Sequence, residues 1–275
     1  MFSNNKLIDV FNDTLNWIKT DKALSDSVIH SIDNTKVYFD AEYPRYDKRT
    51  DCDTKILVTK DKSFQAAMRL SKENPGKRIA VMNFANAVVS GGGVTRGSRA
   101  QEESLCRTST LYPVIARPAM WDSYYAYHRD LNDPRASDAL IYSEDIIICK
   151  TDDDIPVRLP REEWTNVDVI TIAAPNLRSN RFPGFTVSDE ELFAIHVKRA
   201  IHMLSVAASK RVDILVLGAF GCGAFCNDPE IVSKAYKVAL DQFEGAFEKV
   251  EFAVFCNEYE TVNYEVFKKT LINEP

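Results

Sequence analysis

Apolar residues Leu7, Val10, Phe11, Leu15, Trp17 and Ile18 recur at helical spacing and meet a polar end at Lys19 to Lys22, so an amphipathic helix opens the chain. The stretch from Tyr38 to Asp53 is polar and aperiodic and reads as a loop or linker. Beyond it, strand and helix patterns alternate. A short strand over Ile56 to Thr59 precedes a helix that Asp61 can cap and that runs to about Lys72, offering Phe64, Ala67, Met68 and Leu70 for burial. Asn74, Pro75 and Gly76 break it. Strand-like runs follow at Arg78 to Phe84, Ile146 to Cys149, Val167 to Ala173, Val212 to Leu217 and Val250 to Phe255. Several are continuously apolar, as suits strands covered on both faces. Helical patterns lie at Gln101 to Tyr112, Glu190 to Ala208, Pro229 to Phe247 and Tyr264 to Leu271. The pattern predicts an α/β sandwich with a mostly parallel or mixed central sheet. Residues 1–53 form an N-terminal helical extension and linker, and 54–275 form the main domain.

Composition narrows the function classes. With 45% hydrophobic and 27% charged residues among 275, disorder, collagen and disulfide scaffolds are disfavoured. Lys plus Arg number 34 against 40 Asp plus Glu, a net charge of -6, so no broad positive field exists for non-specific nucleic-acid binding. A polyanion would have to be held by local donors. No apolar run reaches membrane-span length and the first residues lack a signal-peptide core, which makes the cytoplasm the expected compartment and membrane partners unexpected. Cys52, Cys106, Cys149, Cys222, Cys226 and Cys256 have no close paired spacing and read as reduced thiols. The histidines His30, His128, His196 and His202 make no zinc spacing, so no metal is expected. His196 and His202 lie on a predicted helix and suit packing or surface roles.

Two glycine-rich turns stand where strands end, the place at which open α/β sheets bind ligands. The first runs Asn83, Phe84, Ala85, Asn86, then Gly91, Gly92, Gly93, seven residues, and Gln101, Glu102, Glu103. The second runs from Gly218 through Phe220, Gly221, Cys222, Gly223, Ala224 and Phe225 to Asp228 and Pro229. Consecutive glycines let backbone amides approach a ligand, and amides beside a helix start suit a phosphate or pyrophosphate. Asp228 and Pro229 read as an N-cap and first helical residue. No Lys-Ser or Lys-Thr follows the glycines and the dinucleotide fingerprint is missing, so ATP hydrolysis and NAD chemistry lose ground. Either loop alone reads as a flexible turn, and Glu102 and Glu103 alone as acids favoured by a helix dipole. Occurring together, they point to a site.

In this order, Asn-Phe-Ala-Asn, Gly-Gly-Gly and Gln-Glu-Glu resemble the signature of poly(ADP-ribose) glycohydrolases, built on the macrodomain fold. Ser104 to Tyr112, Ala173 to Asn176 and the Gly218 to Pro229 loop are similar to the microbial-type branch. The resemblance covers roughly Ile56 to Cys256. It implies a three-layer α/β/α macrodomain-like sandwich and hydrolysis, without cofactor or metal, of the ribose-ribose O-glycosidic bond, from the chain end, with release of ADP-ribose. Poly(ADP-ribose) or an ADP-ribosylated protein is the implied partner. Glu103 matches the catalytic acid/base and Glu102 the residue that holds ribose hydroxyls. Adjacent helical residues point about 100° apart, so different roles are expected of them. Use of Glu103 as an acid is expected mainly in the substrate complex, where burial and the pyrophosphate favour the protonated form. Asn86 matches the distal-ribose ligand, and as a residue by itself reads as a turn former. Gly91, Gly92, Gly93 and Gln101 fall in the implied substrate-binding set, with Gly221, Cys222, Gly223, Ala224 and Phe225 around the pyrophosphate. Phe225 would pack on the distal ribose, and Cys222 would serve through its backbone amide. Removal of a single ADP-ribose from an acceptor, and a non-catalytic ADP-ribose-binding module, are the alternative readings. Tyr124, Tyr125, Tyr127, His128 and Arg129 suit helix packing at least as well as a ligand contact, and Asp152, Asp153 and Asp154 read as solvated loop acids.

Overall fold

The computed structural model describes residues 4–48 and 53–272, so residues 49–52 near the end of the predicted linker, Cys52 among them, lie outside the described residues. Helices α1 (Asn4–Thr20) and α2 (Lys22–Asp33) precede strand β1 (Lys36–Tyr38), then β2 (Lys55–Thr59), α3 (Ser63–Glu73) and β3 (Ile79–Ala85). Next come α4 (Gln101–Thr108), α5 (Leu111–Ile115) and α6 (Pro118–Met120), which runs through a π turn at Trp121–Tyr125 into α7 (Ala126–Leu131). Strands β4 (Leu140–Ile148) and β5 (Thr165–Ala173), helix α8 (Asp189–Ser209), strand β6 (Ile214–Leu217), helix α9 (Pro229–Leu240), strand β7 (Lys249–Ala253) and helix α10 (Val262–Leu271) complete the order. The seven strands line up as β1-β4-β5-β3-β6-β7-β2. β5, β3, β6, β7 and β2 run parallel, while β4 is antiparallel to β5 and β1 to β4.

Strand alternation divides the interior into two cores and makes the sandwich three-layered. Ile79 and Val81 of β3 join α1, α2, α3, α4 and α5 on one face, and Ala80 and Met82 join α8, α9 and α10 on the other. Both faces of the central strands are covered, which is why their sequences are continuously apolar. The chain leaves β3 for α4 on the first face and leaves β6 for α9 on the second. The strand ends therefore diverge around a crevice, the topological switch point of the sheet.

Several elements differ from the periodic reading. The helix predicted over Gln101 to Tyr112 stops at Thr108, because Ser109 pairs with Ile148 and the Thr108 carbonyl accepts from Cys149 N at 3.0 Å. β4 begins at Leu140, well before Ile146; a register shift between Ser143 and Ile146, with Asp145 at φ 56°, interrupts its apolar run. Lys62, not Asp61, stands at the N-cap of α3, where its backbone N–H donates to Gln65 Oε1 at 3.2 Å, while Asp61 accepts from Arg69 at 2.9 Å. α9 ends at Leu240 and passes into a 3-10 turn at Asp241–Phe243.

The first helix docks onto the body, as its apolar face predicts. Thr14 Oγ1 donates to the Arg107 carbonyl on α4 at 2.6 Å, and Phe11 meets Tyr112 edge-on at 4.8 Å between ring centroids. Lys150, almost fully buried, reaches up to donate to Val10 O and pair with Asp13, each at 2.8 Å. Arg158 also binds Asp13 and, more than any other neighbour, holds that carboxyl down at about 2. Among the described residues no helix is long and apolar enough to cross a membrane.

Candidate active site

A cleft of about 710 Å³ opens at the crevice between the β3 and β6 ends, lined by both glycine-rich loops, Glu102, Glu103 and Gln101. Its floor is built by strand β3. Past the last β3–β6 register pair, Val81 with Val216, the two strands part, leaving the next β3 backbone groups on that side without a strand partner. Gln101 fills the missing rung: its Oε1 accepts from Phe84 N at 2.9 Å and its Nε2 donates to Met82 O at 2.6 Å and Ser63 Oγ at 3.1 Å. The polar ends of Gln101 are thus taken up by the protein, and the residue keys the start of α4 to the strand.

The three glycines play a different part from the one expected of them. Gly93 N donates to Glu103 Oε1 at 2.7 Å, Gly92 N donates to Val89 O at 3.0 Å, and Gly91 N faces the Glu102 carboxyl, helping to lower its pKa. The amides of Gly92 and Gly93 are spent inside the protein and that of Gly91 faces Glu102, so the first loop is turned to the chain's own carboxylates more than to a phosphate. Gly92, at φ +55°, has no room for a side chain: a Cβ there would lie 2.5 Å from Glu103 Oε1 and 3.0 Å from Glu102 Oε2. The two carboxyls converge on this glycine. The divergence expected from helical geometry is undone because the loop folds back over the first turn of α4.

Each acid has one oxygen fixed and one uncommitted. Asn86 N donates to Glu102 Oε2 at 2.7 Å, while Glu102 Oε1 and Glu103 Oε2 are buried with no partner among the described residues. Burial, reinforced by the nearby Glu103 charge, pushes the Glu102 carboxyl up to about 8. Asn83, buried inside β3, sends its amide between Thr171 Oγ1, at 3.1 Å, and the Glu102 carboxyl. Asn86 Oδ1 accepts from Val88 N at 3.0 Å and Val89 N at 3.1 Å, so the turn-forming role is present and its Nδ2 remains for a ligand.

The second loop offers free donors. Cys222 N is spent on Ala219 O at 3.1 Å, which removes the amide singled out from sequence; a tight turn consumes it. The amides of Gly221, Gly223, Ala224 and Phe225 have no acceptor among the described residues, and a Cβ at Gly223 would meet nothing within 4 Å. Burial pushes the Cys222 thiol well up, away from nucleophilic use. Asn227 holds the loop's shape: its Nδ2 donates to Pro175 O at 2.7 Å and to Gly221 O and Phe225 O at 3.2 Å. Its Oδ1 lies 2.8 Å from His196 Nε2, and burial keeps His196 neutral, down at about 4, so Nε2–H is the donor. Asp228 caps α9 through Glu230 N at 2.7 Å, with Pro229 at the first helical position as predicted. Arg178 stands over the Phe225 ring at 5.4 Å and brings positive charge to this end of the cleft.

Sequence reasoning missed Asn83, Asn227, Arg178 and Asp152. Asp152 is buried, not solvated: its carboxylate accepts from Ser104 Oγ on α4 at 2.6 Å, and its carbonyl accepts from Lys62 Nζ and Gln65 Nε2. Asp153 and Asp154 are exposed, as expected. The signal for Asn83 was a polar residue within an apolar strand, and for Asn227 a side chain just ahead of a helix cap. Tyr124 and Tyr125 are fully buried in the first core, and His196 and His202 are buried in packing roles. The five described cysteines are free thiols.

Known proteins share this fold. The family described as "Microbial-type PARG, catalytic domain" matches residues 13–151. No curated protein matches the chain. Among solved structures, poly(ADP-ribose) glycohydrolase from Thermomonospora curvata superposes with a TM-score of 0.84 at 29% identity, covering 97% of this chain and 100% of that one. The same enzyme bound to the inhibitor ADP-HPD gives a TM-score of 0.82 at 29% identity, over 96% of this chain and 99% of that one. The Deinococcus radiodurans enzyme in complex with ADP-ribose gives 0.78 at 32% identity, over 89% of this chain and 97% of that one.

Proposed function

The chain belongs to the microbial-type poly(ADP-ribose) glycohydrolase family, and on that footing we propose that it hydrolyses ribose-ribose O-glycosidic bonds in poly(ADP-ribose) from the chain end, releasing ADP-ribose. One observation carries the reading: two adjacent carboxyls, each pinned at one oxygen by a backbone amide, keep their other oxygens buried and uncommitted at the cleft. Leaving such acceptors unpaired costs stability unless a ligand or a proton uses them. The free amides of Gly221, Gly223, Ala224 and Phe225, with Arg178, take the pyrophosphate of the terminal unit and set its distal ribose over Asn86, Glu102 and Glu103. Phe225 packs on that ribose.

Cleavage of this bond passes through an oxocarbenium-like state that needs a proton on the leaving oxygen and a water at the anomeric carbon. Glu103 Oε2 gives the proton to the leaving ribose oxygen and then takes one from the attacking water. Glu102, protonated near neutrality, holds the ribose hydroxyls as a neutral partner. Gln101 and the three glycines position these acids and touch no substrate in this scheme.

Incubation with poly(ADP-ribose) tests the reading. The unmodified protein releases ADP-ribose, and Glu103→Gln lowers turnover by about 10³-fold while still binding ADP-ribose. Intact polymer with the unmodified protein, together with tight ADP-ribose binding, would identify a binding module instead.

A further inference from the structure

The cleft continues past the carboxyl pair. Beyond Gly93, where an added Cβ would collide with Ser98, it extends along the 3-10 turn Val94–Arg96 toward α1, lined by Leu7, Arg96, Ser98, Arg99 and Arg107. Arg107 sits one helical turn after Glu103 and is 3% exposed. Its Nη2 donates to Ser98 O, and its Nε is buried with no acceptor among the described residues. Burial pulls the Arg107 guanidinium below its ordinary value, against the opposing charges of Glu103 and Asp152, with Arg99 adding a smaller push the same way as burial. Arg96 is exposed at the rim of the same arm. Of the acids near this arm, Glu103 is held by Gly93 N and Asp152 by Ser104, while Asp154 faces Lys62 at 3.6 Å. Guanidiniums gathered here, one with a buried unsatisfied donor, are what an anion subsite needs.

The chemistry of the polymer says which anion. The scissile bond joins two riboses, and each carries a pyrophosphate on its 5-carbon. A terminal unit with its pyrophosphate on the Gly221–Phe225 loop therefore projects a second pyrophosphate, that of the leaving unit, to the other side of Glu103. We propose that Arg96 and Arg99, backed by Arg107, form a second anion subsite that takes the pyrophosphate of the penultimate ADP-ribose unit. The inference rests on the hydrolase reading above and deepens it: the enzyme reads two units, and a linked second unit, more than the bond itself, separates polymer from a single ADP-ribose on a protein side chain.

Binding keeps the two readings separable. In the Glu103→Gln background, which prevents turnover, calorimetry compares ADP-ribose with a two-unit ADP-ribose fragment for Arg96 and Arg99 intact and for the Arg96→Ala Arg99→Ala double variant. The two-unit fragment binds about tenfold tighter than ADP-ribose at low salt, and the double alanine variant loses that advantage while its ADP-ribose affinity stays within about twofold. Arg96→Lys with Arg99→Lys restores part of it, since charge is kept and the planar fork lost. Equal affinity for one and two units, or equal weakening of both ligands in the alanine variant, overturns the subsite. Polymer hydrolysis by the unmodified protein is scored on its own: an inert protein that still prefers two units would sink the hydrolase reading and leave the subsite standing.

Discussion

At the scale of single residues, the site depends on where protons and oxygens sit. The folded protein holds the Glu102 carboxyl at about 8, above its ordinary value of 4.5, chiefly through burial. The unfolded chain therefore loses this proton first as pH rises. Below about 4.5 the residue has no effect on stability; between there and about 8 it destabilises the fold by about 1.4 kcal/mol per pH unit, and above that the loss levels off. Glu102→Gln is expected to match the unmodified protein in Tm near pH 4.5 and to exceed it by several degrees at pH 8, because the amide can serve both Asn86 N and Asn83. A gap that does not grow over that range would refute the assignment. Gly92→Ala tests the convergence of the two acids. A methyl group at φ +55° with Glu103 Oε1 2.5 Å away must displace the carboxyl, and a misplacement of that order costs about 10²-fold in turnover while ADP-ribose binding through the second loop persists. The sequence made both acids visible, but the spacing rule for adjacent helical residues pointed them apart. What brings them together is a turn that only glycine permits, and its path is a tertiary fact.

At the scale of elements, the two loops look alike in sequence and do opposite work. The first is closed on the protein's own anions; the second keeps four amides open. Composition could not separate them, because the difference lies in what folds back over each one. Asn227 is the element-level hinge of this contrast, since a single side chain ties the carbonyls of Pro175, Gly221 and Phe225. Asn227→Ala leaves those carbonyls and His196 without their partner, and is expected to cost about 2–4 kcal/mol of stability and to raise the ADP-ribose Kd more than tenfold, measured by denaturation and calorimetry. An unchanged Kd would mean the loop keeps its shape without it. Strands covered on both faces were legible as apolar runs. The periodic reading assigns no element to residues 22–37, yet α2 and β1 occupy most of them: the Asp21 cap and the Leu24, Val28, Ile32 stripe carry that signal, and β1 is too short to announce itself.

At the scale of the whole molecule, the three-layer architecture and the switch-point cleft followed from the order of strand and helix patterns. Docking of the first helix onto its own domain is what its amphipathic face predicts, but its partners, Arg107, Tyr112, Lys150 and Arg158, were not legible, because they lie far along the chain. That seam has a kinetic consequence. Thr14 and Arg107 are 93 positions apart, and Val10 and Lys150 are 140. The support beneath the reactive helix is thus assembled from distant segments, so completion of the catalytic surface is expected to be a slow, late event. Trp17 and Trp164, 5.5 Å apart between ring centroids, are two of the three tryptophans and lie at this seam. After dilution from denaturant, the final fluorescence phase should coincide with the return of ADP-ribose binding, while far-ultraviolet ellipticity recovers earlier; ligand binding restored ahead of the tryptophan signal would show that the catalytic surface forms without its foundation. A nascent chain would then carry every chemical group of the reaction yet stay inert until its first helix came home.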